Sequence, residues 1–517
     1  MRARAFAVWR AAEARLDAAF GPRANPLRHA GALAFFLFWV VTATGIYLYV
    51  FLDTSAAGAW RSVEDLSRAQ GALGVLVRGL HRYGSDAMVL AVLAHLAREY
   101  LAGHERGVRW FSWVSGVPLV VLLYASGIGG FWLVWDEIAL FSATATAEWF
   151  DWAGVMPEPF VRNFLSPERV NDRLFTLFIF LHIGLPLALL LGMWVHVQRL
   201  SRPETQPAAA LAAGMLAALA VLSLAVPVES AAPAEVARPP AAVALDWFLL
   251  FPHPLMYATS PGALWAIVAA ALLALCAAPW LSRAPRLPAA EVSPADCNGC
   301  GRCFADCPFS AVVLVPHVTK AKAPRMARVE PALCAGCGIC AGACPSSTPF
   351  RASEEFRSGI DMPGRRVAEL RARLESRLAA PAPGPRVVVF GCDHGADVTR
   401  LEAPGTVALS LLCAGMLPPS FVEYALRYGA DGVLVTGCPA GGCDYRFGQR
   451  WLEERFAGRR EPHLRANVPR ERLHVAWVAS AAALERELAQ FREHLAALAT
   501  RPAVLAPPKR ALAAAGR

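Results

Sequence analysis

Cysteine is almost absent from the first 296 residues of this chain, where Cys276 is the single example and is expected to lie buried in an apolar run. This half of the chain therefore cannot depend on disulfide bonds. The other twelve of the 13 cysteines follow at tight spacings. Such spacing favours metal ligation in a reducing compartment over a disulfide framework.

Charged side chains are also scarce. They make up 18% of the 517 residues, whereas 56% of the residues are hydrophobic, a balance too apolar for an ordinary soluble protein. The net charge of +9 is a weak indication of nucleic-acid binding, because the arginines cluster beside the apolar runs. No cleavable signal peptide is evident, since the first apolar run begins only after residue 29.

Apolar runs long enough to cross a membrane are concentrated before residue 281. They predict an all-α transmembrane helical bundle of about six spans, near residues 30–51, 82–101, 113–135, 174–198, 208–227 and 262–281. Residues 1–20 place aromatic side chains among arginines, which predicts an amphipathic helix lying on the membrane surface.

Arginine placement predicts the orientation of these spans. Arginines precede the first span and follow the second, fourth and sixth, whereas the loop between the third and fourth spans is acidic. Both termini and the cysteine-rich half are therefore expected on the cytoplasmic side of a bacterial-type inner membrane. The arginines concerned are Arg2, Arg4, Arg10, Arg15, Arg23, Arg28, Arg98, Arg106, Arg109, Arg199, Arg202, Arg283 and Arg286.

Two pairs of histidines have the same spacing. His81 and His95 are fourteen residues apart on the second span, and so are His182 and His196 on the fourth. This interval leaves two side chains about 40° apart on one helix face and about 21 Å apart along the axis. Histidine inside a membrane span is usually functional, and two imidazoles are a common way to hold haem iron. The alternative is buried histidines hydrogen-bonded to neighbouring helices.

The direction of the spans decides which histidines pair. The second and fourth spans run the same way, so His81 is expected to face His182 near the outer side, and His95 to face His196 near the cytoplasmic side. The glycines of the first and third spans repeat the fourteen-residue interval. They are expected to let a flat haem approach the helix backbone, and they are Gly31, Gly45, Gly116 and Gly130.

With these histidines and glycines, residues 1–280 resemble the cytochrome b family of quinol-oxidising bc-type complexes. The His-Val-Gln-Arg run at 196–199 also matches. The resemblance implies two b haems, whose propionates Arg78 and Arg98 would neutralise, although arginines are also common beside membrane spans. Relatives of this kind are often dimers, so a homodimer is expected by analogy.

The run Asp246-Trp247-Phe248 resembles that family's outer quinol-site motif, in which an acidic residue precedes Trp and Tyr. The resemblance implies a quinone site at Asp246. Here the acid is shorter and the tyrosine is replaced by phenylalanine, and an interfacial aromatic anchor is the alternative.

Residues 294–350 contain the spacing C-x2-C-x2-C-x3-C-P twice. This is the bacterial two-cluster ferredoxin signature, in which the fourth cysteine of each run ligates the other cluster. An α+β ferredoxin-like domain is expected, with zinc as the competing metal. One [4Fe–4S] cluster would be held by Cys297, Cys300, Cys303 and Cys344, and the other by Cys334, Cys337, Cys340 and Cys307.

Residues 386–498 alternate strand and helix patterns and predict a small, doubly wound α/β domain. Three of its cysteines follow strands directly, at the edge where such sheets bind ligands. Four cysteines suit a [2Fe–2S] cluster, and core or free thiols are the alternative. The set is Cys392, Cys413, Cys438 and Cys443.

The Gly-Ala-Asp-Gly-Val run at 429–433 and the Gly-Cys-Pro and Gly-Cys-Asp-Tyr runs that follow it resemble the delta subunit of methyl-viologen-reducing hydrogenase. In that family the module relays electrons between a dehydrogenase or hydrogenase and a flavin-bearing heterodisulfide-reductase subunit. His394, two residues after Cys392, is a competing ligand.

The sequence thus predicts a multi-domain oxidoreductase subunit: a membrane domain at 1–281, a ferredoxin domain at 294–350, a linker at 351–385, the α/β domain at 386–498 and a disordered tail at 499–517. Electrons are expected to pass between a cytoplasmic dehydrogenase or heterodisulfide-reductase-like flavoprotein and the quinone pool. No dinucleotide or molybdenum motif stands out, so the primary dehydrogenase is expected to be a separate protein. The alternatives are reverse flow from quinol to a low-potential acceptor, and a redox sensor without turnover.

Overall fold

The computed structural model describes residues 1–154, 165, 170–237, 242–244, 246, 248–281, 287–318, 324–351, 356–381, 384–478 and 480–498. Trp247, Arg283, Arg286 and the tail predicted at 499–517 lie outside the described residues. The chain divides into two compact units. The first comprises residues 1–198 and 203–284, and the second comprises residues 199–202 and 285–517.

The first unit is helical. Its helices are α1 (Arg2–Phe20), α2 (Ala30–Phe51), α3 (Ala59–Ala69), α4 (Ala72–Ala102), α5 (Trp110–Trp132), α6 (Glu137–Asp151), α7 (Asp172–Val197), α8 (Ala209–Ala225), α9 (Pro252–Ala258) and α10 (Pro261–Leu281). Within the described residues, four helices are long and apolar enough to cross a membrane: Ala30–Phe51, Gly107–Trp132, Asp172–Val197 and Pro261–Leu281.

The other two predicted spans are helical but do not meet the same criterion. α4 has 31 residues and carries several charged side chains, and α8 has 17 residues and is shorter than the others. The predicted count of six spans is therefore not confirmed, and it stays a prediction.

Two helix pairs form the centre of the first unit, α2 with α4 and α5 with α7. Leu37 of α2 and Val89 of α4 are buried in the same apolar cluster as Leu123 of α5 and Leu189 of α7. α4 and α7, which carry the histidines, therefore belong to one packed bundle.

The second unit begins with short strands and loops that carry the cysteines. Its first elements are β1 (Glu291–Val292), α11 (Arg302–Ala305), β2 (Val312–Pro316), β3 (Arg325–Val329), α12 (Ile339–Ala343), β4 (Ile360–Asp361) and α13 (Val367–Leu378). β2 and β3 form an antiparallel pair, and β1 pairs with β4. Gly301 and Gly338 precede α11 and α12 with φ of +76° and +74°, a conformation that glycine adopts without strain.

A four-stranded parallel sheet in the order β6-β5-β7-β8 follows. Its elements are β5 (Val387–Cys392), β6 (Thr406–Leu411), α14 (Ser420–Arg427), β7 (Gly432–Thr436), α15 (Gly448–Phe456), β8 (Leu473–Ala476) and α16 (Ala481–Leu498). Val387 and Val389 share one buried cluster with α16, whereas Val388 and Phe390 lie in another. Both faces of the sheet are covered, as the doubly wound prediction requires.

The segment predicted as a linker contains α13. Leu370, Leu374 and Leu378 on this helix are buried in the cluster that also holds Phe390 of the sheet and Cys344. The ferredoxin-like part and the α/β part thus share one hydrophobic core.

Candidate redox centres

Four histidines form two pairs between α4 and α7. The ring centroids of His81 and His182 are 6.3 Å apart, and those of His95 and His196 are 6.5 Å apart. The structure therefore brings together the partners that the parallel direction of the two spans predicts.

The spacing of each pair fits one metal ion between the rings. A bond from a metal to an imidazole nitrogen is about 2 Å long, so two such bonds separate the ring centroids by about 6 Å. A direct hydrogen bond between ring nitrogens, about 3 Å long, would bring the centroids to about 5 Å. The observed separations leave room for a metal ion between the rings of each pair, and the four histidines would be able to hold haem iron.

Hydrogen bonds fix the tautomer of the ring in two of these histidines. His81 Nδ1 lies 3.0 Å from the carbonyl oxygen of Val41, and His182 Nδ1 lies 3.1 Å from that of Ser126. A carbonyl oxygen only accepts, so each Nδ1 carries the proton and donates it. Nε2 then keeps its lone pair and is able to ligate iron.

Each of the four predicted glycines faces one of these rings. A Cβ atom at each position would meet an imidazole at close range: Gly31 at 3.1 Å from His95, Gly45 at 2.8 Å from His81, Gly116 at 3.1 Å from His196 and Gly130 at 3.0 Å from His182. The fourteen-residue glycine interval predicts a haem edge at these positions, whereas the structure places an imidazole there. A larger residue would push the ring from its position.

The two arginines expected at haem propionates are paired with carboxylates of the protein. Arg78 donates to Glu64 at 3.0 Å and to Ser230 at 2.6 Å. Arg98 donates to Glu13 at 2.8 Å. Their role toward propionates stays a prediction, and binding a propionate would require these ion pairs to be shared or exchanged.

Asp246 is held by several partners. One carboxylate oxygen accepts hydrogen bonds from the backbone N–H groups of Phe248 at 3.0 Å and Leu249 at 2.6 Å. The other is paired with Arg82, which also contacts Asp86. These contacts give Asp246 a structural role at the start of a turn.

The eight cysteines of the ferredoxin-like part line two separate cavities, four cysteines in each. The first cavity is lined by Cys297, Cys300, Cys303 and Cys344. The second is lined by Cys307, Cys334, Cys337 and Cys340. These are the two ligand sets that the crossed ferredoxin pattern predicts.

The spacing of these cysteines fits iron–sulfur clusters better than zinc. The run C-x2-C-x2-C-x3-C-P occurs twice and supplies eight cysteines, as in a two-cluster ferredoxin, whereas a structural zinc site needs four ligands. Burial raises the pKa of the Cys303 thiol to about 12 and that of Cys340 well above its ordinary value, and a bound metal would offset this cost by holding the thiolates.

Four cysteines of the α/β part also converge. Cys392 Sγ and Cys438 Sγ are 4.0 Å apart. A Cβ atom at Gly448 would lie 2.2 Å from Cys413 Sγ and 3.4 Å from Cys443 Sγ. Hydrogen bonds from neighbouring thiols lower the pKa of Cys392. The set therefore has the four thiols that a [2Fe–2S] cluster requires.

His394 is directed away from a ligand role. Its ring lies 3.2 Å from the hydroxyl of Tyr445 and 3.6 Å from the carboxylate of Asp444. Only its backbone N–H approaches the sulfur of Cys392, at 3.4 Å. Burial raises the pKa of the Tyr445 hydroxyl, so this tyrosine stays protonated at neutral pH.

A buried ion pair next to Cys307 was not predicted from the sequence. The Arg455 side chain is fully buried and lies 2.5 Å from the Asp306 carboxylate. Asp306 directly precedes Cys307, and a charged residue inside a cysteine motif was the one feature of the sequence that could have indicated this ion pair. Arg455 lies on a helix without any motif, and its partner depends on the tertiary fold.

Helices that carry paired histidines, together with three sets of four cysteines, define a multi-pass membrane protein of the electron-transfer class. Family models match the chain in three successive parts: cytochrome b/b6/petB at residues 20–203, the 4Fe-4S dicluster domain at 296–348 and the delta subunit of methyl-viologen-reducing hydrogenase at 387–499.

Cytochrome b6 of Porphyra purpurea is 31% identical over 176 residues, which are 34% of this chain and 81% of that protein. The chain therefore belongs to the cytochrome b/b6 family, and it continues into the two iron–sulfur domains. The three resemblances predicted from the sequence are confirmed in their order. A solved chain described as "Hyperthermophilic respiratory Complex III" is 19% identical with a TM-score of 0.42, over 50% of this chain and 75% of that one.

Proposed function

We propose that this protein is a quinone-linked oxidoreductase subunit that carries electrons between a cytoplasmic partner and the membrane quinone pool. The observation that carries the proposal is that one chain holds two histidine pairs spaced for haem iron and three sets of four cysteines. Neither feature alone would connect a membrane to a soluble redox partner.

The residues present fit a specific set of cofactors. The two histidine pairs would each hold a b haem. The two cysteine sets of the ferredoxin-like part would each hold a [4Fe–4S] cluster, and the set in the α/β part would hold a [2Fe–2S] cluster. When bound, these groups supply one-electron carriers. The chain's own residues set their spacing, exclude water from the buried thiols and keep the Nε2 atoms of His81 and His182 free for iron.

The partner in the proposal is a cytoplasmic dehydrogenase or a flavoprotein of the heterodisulfide-reductase type, because the delta-subunit match covers the four-cysteine part of the chain. The arginines beside the spans support an inner-membrane location with both termini in the cytoplasm. A homodimer is proposed by analogy with cytochrome b relatives.

The contacts of Asp246 favour electron flow toward quinone over the reverse. A base for quinol oxidation must lie within hydrogen-bond reach of the quinol hydroxyl, whereas both carboxylate oxygens of Asp246 already contact the protein, one at Arg82 and the other at two backbone N–H groups. We therefore place quinone reduction first and quinol oxidation at Asp246 second.

The test is a redox and activity measurement on the purified full-length chain in detergent. Haem, iron and acid-labile sulfide are counted, and quinone reduction is measured with reduced methyl viologen as the electron donor. Two haems, the full iron count and quinone reduction that persists in Asp246→Asn support the proposal. Full cofactor content without any quinone reduction would favour a redox sensor, and fewer than two haems would contradict the proposal.

A further inference from the structure

The two iron–sulfur parts of the chain meet at one defined place. Helix α12 lies between Cys337 and Cys344 in the sequence, and it packs against the turn Ala414–Met416, which directly follows Cys413. Helix α15 packs against the same turn from another direction. A ligand-bearing segment of the ferredoxin-like part thus touches a ligand-bearing segment of the α/β part.

Three glycines make this contact possible. A Cβ atom at Gly342 would lie 2.2 Å from the carbonyl oxygen of Gly415, and one at Gly415 would lie 2.8 Å from the Cα of Gly448. A Cβ atom at Gly448 would lie 2.2 Å from Cys413 Sγ. Any side chain at these positions would separate the segments, so the close approach of the backbones depends on glycine.

A buried arginine holds the contact in place. Arg455 donates to the carbonyl oxygen of Gly415 at 2.9 Å and to the Asp306 carboxylate at 2.5 Å. Arg460 donates to the other oxygen of Asp306 at 2.6 Å. Because Asp306 precedes Cys307 and Gly415 follows Cys413, one guanidinium fixes both ligand segments.

The contact distinguishes between the two cavities of the ferredoxin-like part. Gly338 lines the second cavity together with Cys337 and Cys340, and a Cβ atom at Gly338 would lie 2.7 Å from Met416 Sδ. The first cavity is lined by residues of 297–303, 314, 327, 344 and 359–360, and its ligand Cys300 is exposed to solvent. The second cavity therefore faces the four-cysteine site, and the first has a side open to solvent.

We infer that the Gly342–Gly415–Gly448 contact is the electron-transfer junction of the soluble part, and that it joins the four-cysteine site to the site of Cys307, Cys334, Cys337 and Cys340. One electron leaves the reduced centre on one side of the junction and is gained by the centre on the other. The site of Cys297, Cys300, Cys303 and Cys344 exchanges electrons with the four-cysteine site only through its neighbour. This order deepens the proposed function and rests on it.

The test compares one ligand from each ferredoxin-like site in the full-length protein. Electron paramagnetic resonance measures how fast the reduced [2Fe–2S] signal relaxes, since a reduced cluster nearby accelerates relaxation. Cys334→Ser is expected to lose this acceleration, whereas Cys300→Ser is expected to retain it. The inference would be overturned if the accelerated relaxation were retained in Cys334→Ser and lost in Cys300→Ser. It would also be overturned if the relaxation rate were the same in both variants.

A second pair of variants addresses the junction without removing a ligand. Gly342→Ala is expected to slow the relaxation of the [2Fe–2S] signal while all clusters remain bound. Gly458→Ala is the matched control, because Gly458 has φ of +75° and no atom within 4 Å of its Cβ position. The alanine at this position should lower stability through its backbone conformation without changing the junction. Unchanged relaxation in Gly342→Ala would contradict the assignment of the junction.

The readout separates this inference from the proposed function. Relaxation is measured without any quinone, so a chain with no quinone activity can still show that the site of Cys334 is the neighbour of the four-cysteine site. If a chain reduces quinone but the site of Cys300 proves to be that neighbour, only the order of the sites is contradicted. Absence of any [2Fe–2S] signal would contradict both.

Discussion

The first unit of the chain (residues 1–198 and 203–284) is called the membrane unit below, and the second (residues 199–202 and 285–517) is called the soluble unit. Each unit repeats a ligand pattern, but the two units space their ligands in different ways. The membrane unit separates its histidines by fourteen residues along α4 and α7, whereas the soluble unit separates its cysteines by two or three residues within loops. Inside a bilayer the backbone must satisfy its own hydrogen bonds, so ligands come from helices at helical intervals. In water, loops with left-handed glycines such as Gly299 and Gly336 can wrap a cluster closely.

This difference predicts how each unit fails. A membrane site should lose its cofactor while the helices persist, because α4 and α7 pack against other helices over their length. A soluble site should lose local structure with its cofactor, because its segments are short and depend on ligation. Substitutions in each unit test that contrast.

His182→Leu should remove one of the two haems and leave the other. The dithionite-reduced absorption per protein should fall by about half, with unchanged helix content by circular dichroism, since one axial ligand is lost. His253→Leu is the control, because His253 is a buried histidine of the same unit that lies 2.9 Å from the Thr146 hydroxyl and outside both pairs. Two full haems in His182→Leu would contradict the assignment of the pair.

Cys337→Ala should remove a whole [4Fe–4S] cluster and loosen the soluble unit. Iron should fall by about four of the roughly ten non-haem atoms expected for this cluster set, and protease sensitivity of residues 287–351 should rise. Cys276→Ala in α10 should change neither quantity. Full iron content in Cys337→Ala would rule out its role as a ligand.

Arg455→Gln should destabilise the soluble unit by about 3 kcal/mol, because it removes one of the two arginines that pair with the buried Asp306 and leaves Arg460 as the other. Arg450→Gln on the same helix should change stability by less than about 0.5 kcal/mol, since its side chain is 65% exposed. The measurement is the urea midpoint for loss of the iron–sulfur absorption. Equal midpoints for the two variants would show that burial of Arg455 is not decisive.

Gly45→Ala should weaken haem binding at the His81 pair by about 2 kcal/mol, the cost of overpacking a closely packed site. A Cβ atom there would lie 2.8 Å from the imidazole of His81, whereas Gly129 has no atom within 4 Å of its Cβ position. Haem retention during urea titration, with Gly129→Ala as the control, measures the difference. Equal retention would indicate that the ring moves without cost.

Asp361 should give the soluble unit a small dependence on pH. Burial raises the pKa of this carboxyl to about 6, so between pH 4 and 6 the folded state binds more protons than the unfolded state. Stability should therefore fall as the pH rises through this window, by about 1 kcal/mol after allowance for partial exposure. Asp361→Asn should flatten the slope in urea titrations at several pH values, and a slope that persists would assign it to other groups.

Much of the fold was predictable because its signals are periodic. Apolar runs gave helices at all six predicted places, and the alternating strand and helix pattern of residues 386–498 corresponds to the parallel sheet of β5 to β8 and its helices. The span count was less certain, because α4 combines apolar faces with charged side chains that pair within the protein, such as Arg78 with Glu64. Hydropathy along a sequence does not register such pairs.

Ligand spacing was enough to name the candidate ligands of every site, since histidine intervals and cysteine motifs are local in sequence. Tertiary structure alone decided what surrounds them. It placed imidazoles, where a haem edge was predicted, against Gly45 and Gly130, and it paired Asp246 with Arg82, 164 residues away. It also joined the two iron–sulfur parts through Gly342, Gly415 and a buried Arg455. Such contacts depend on packing between distant segments, which no local pattern encodes.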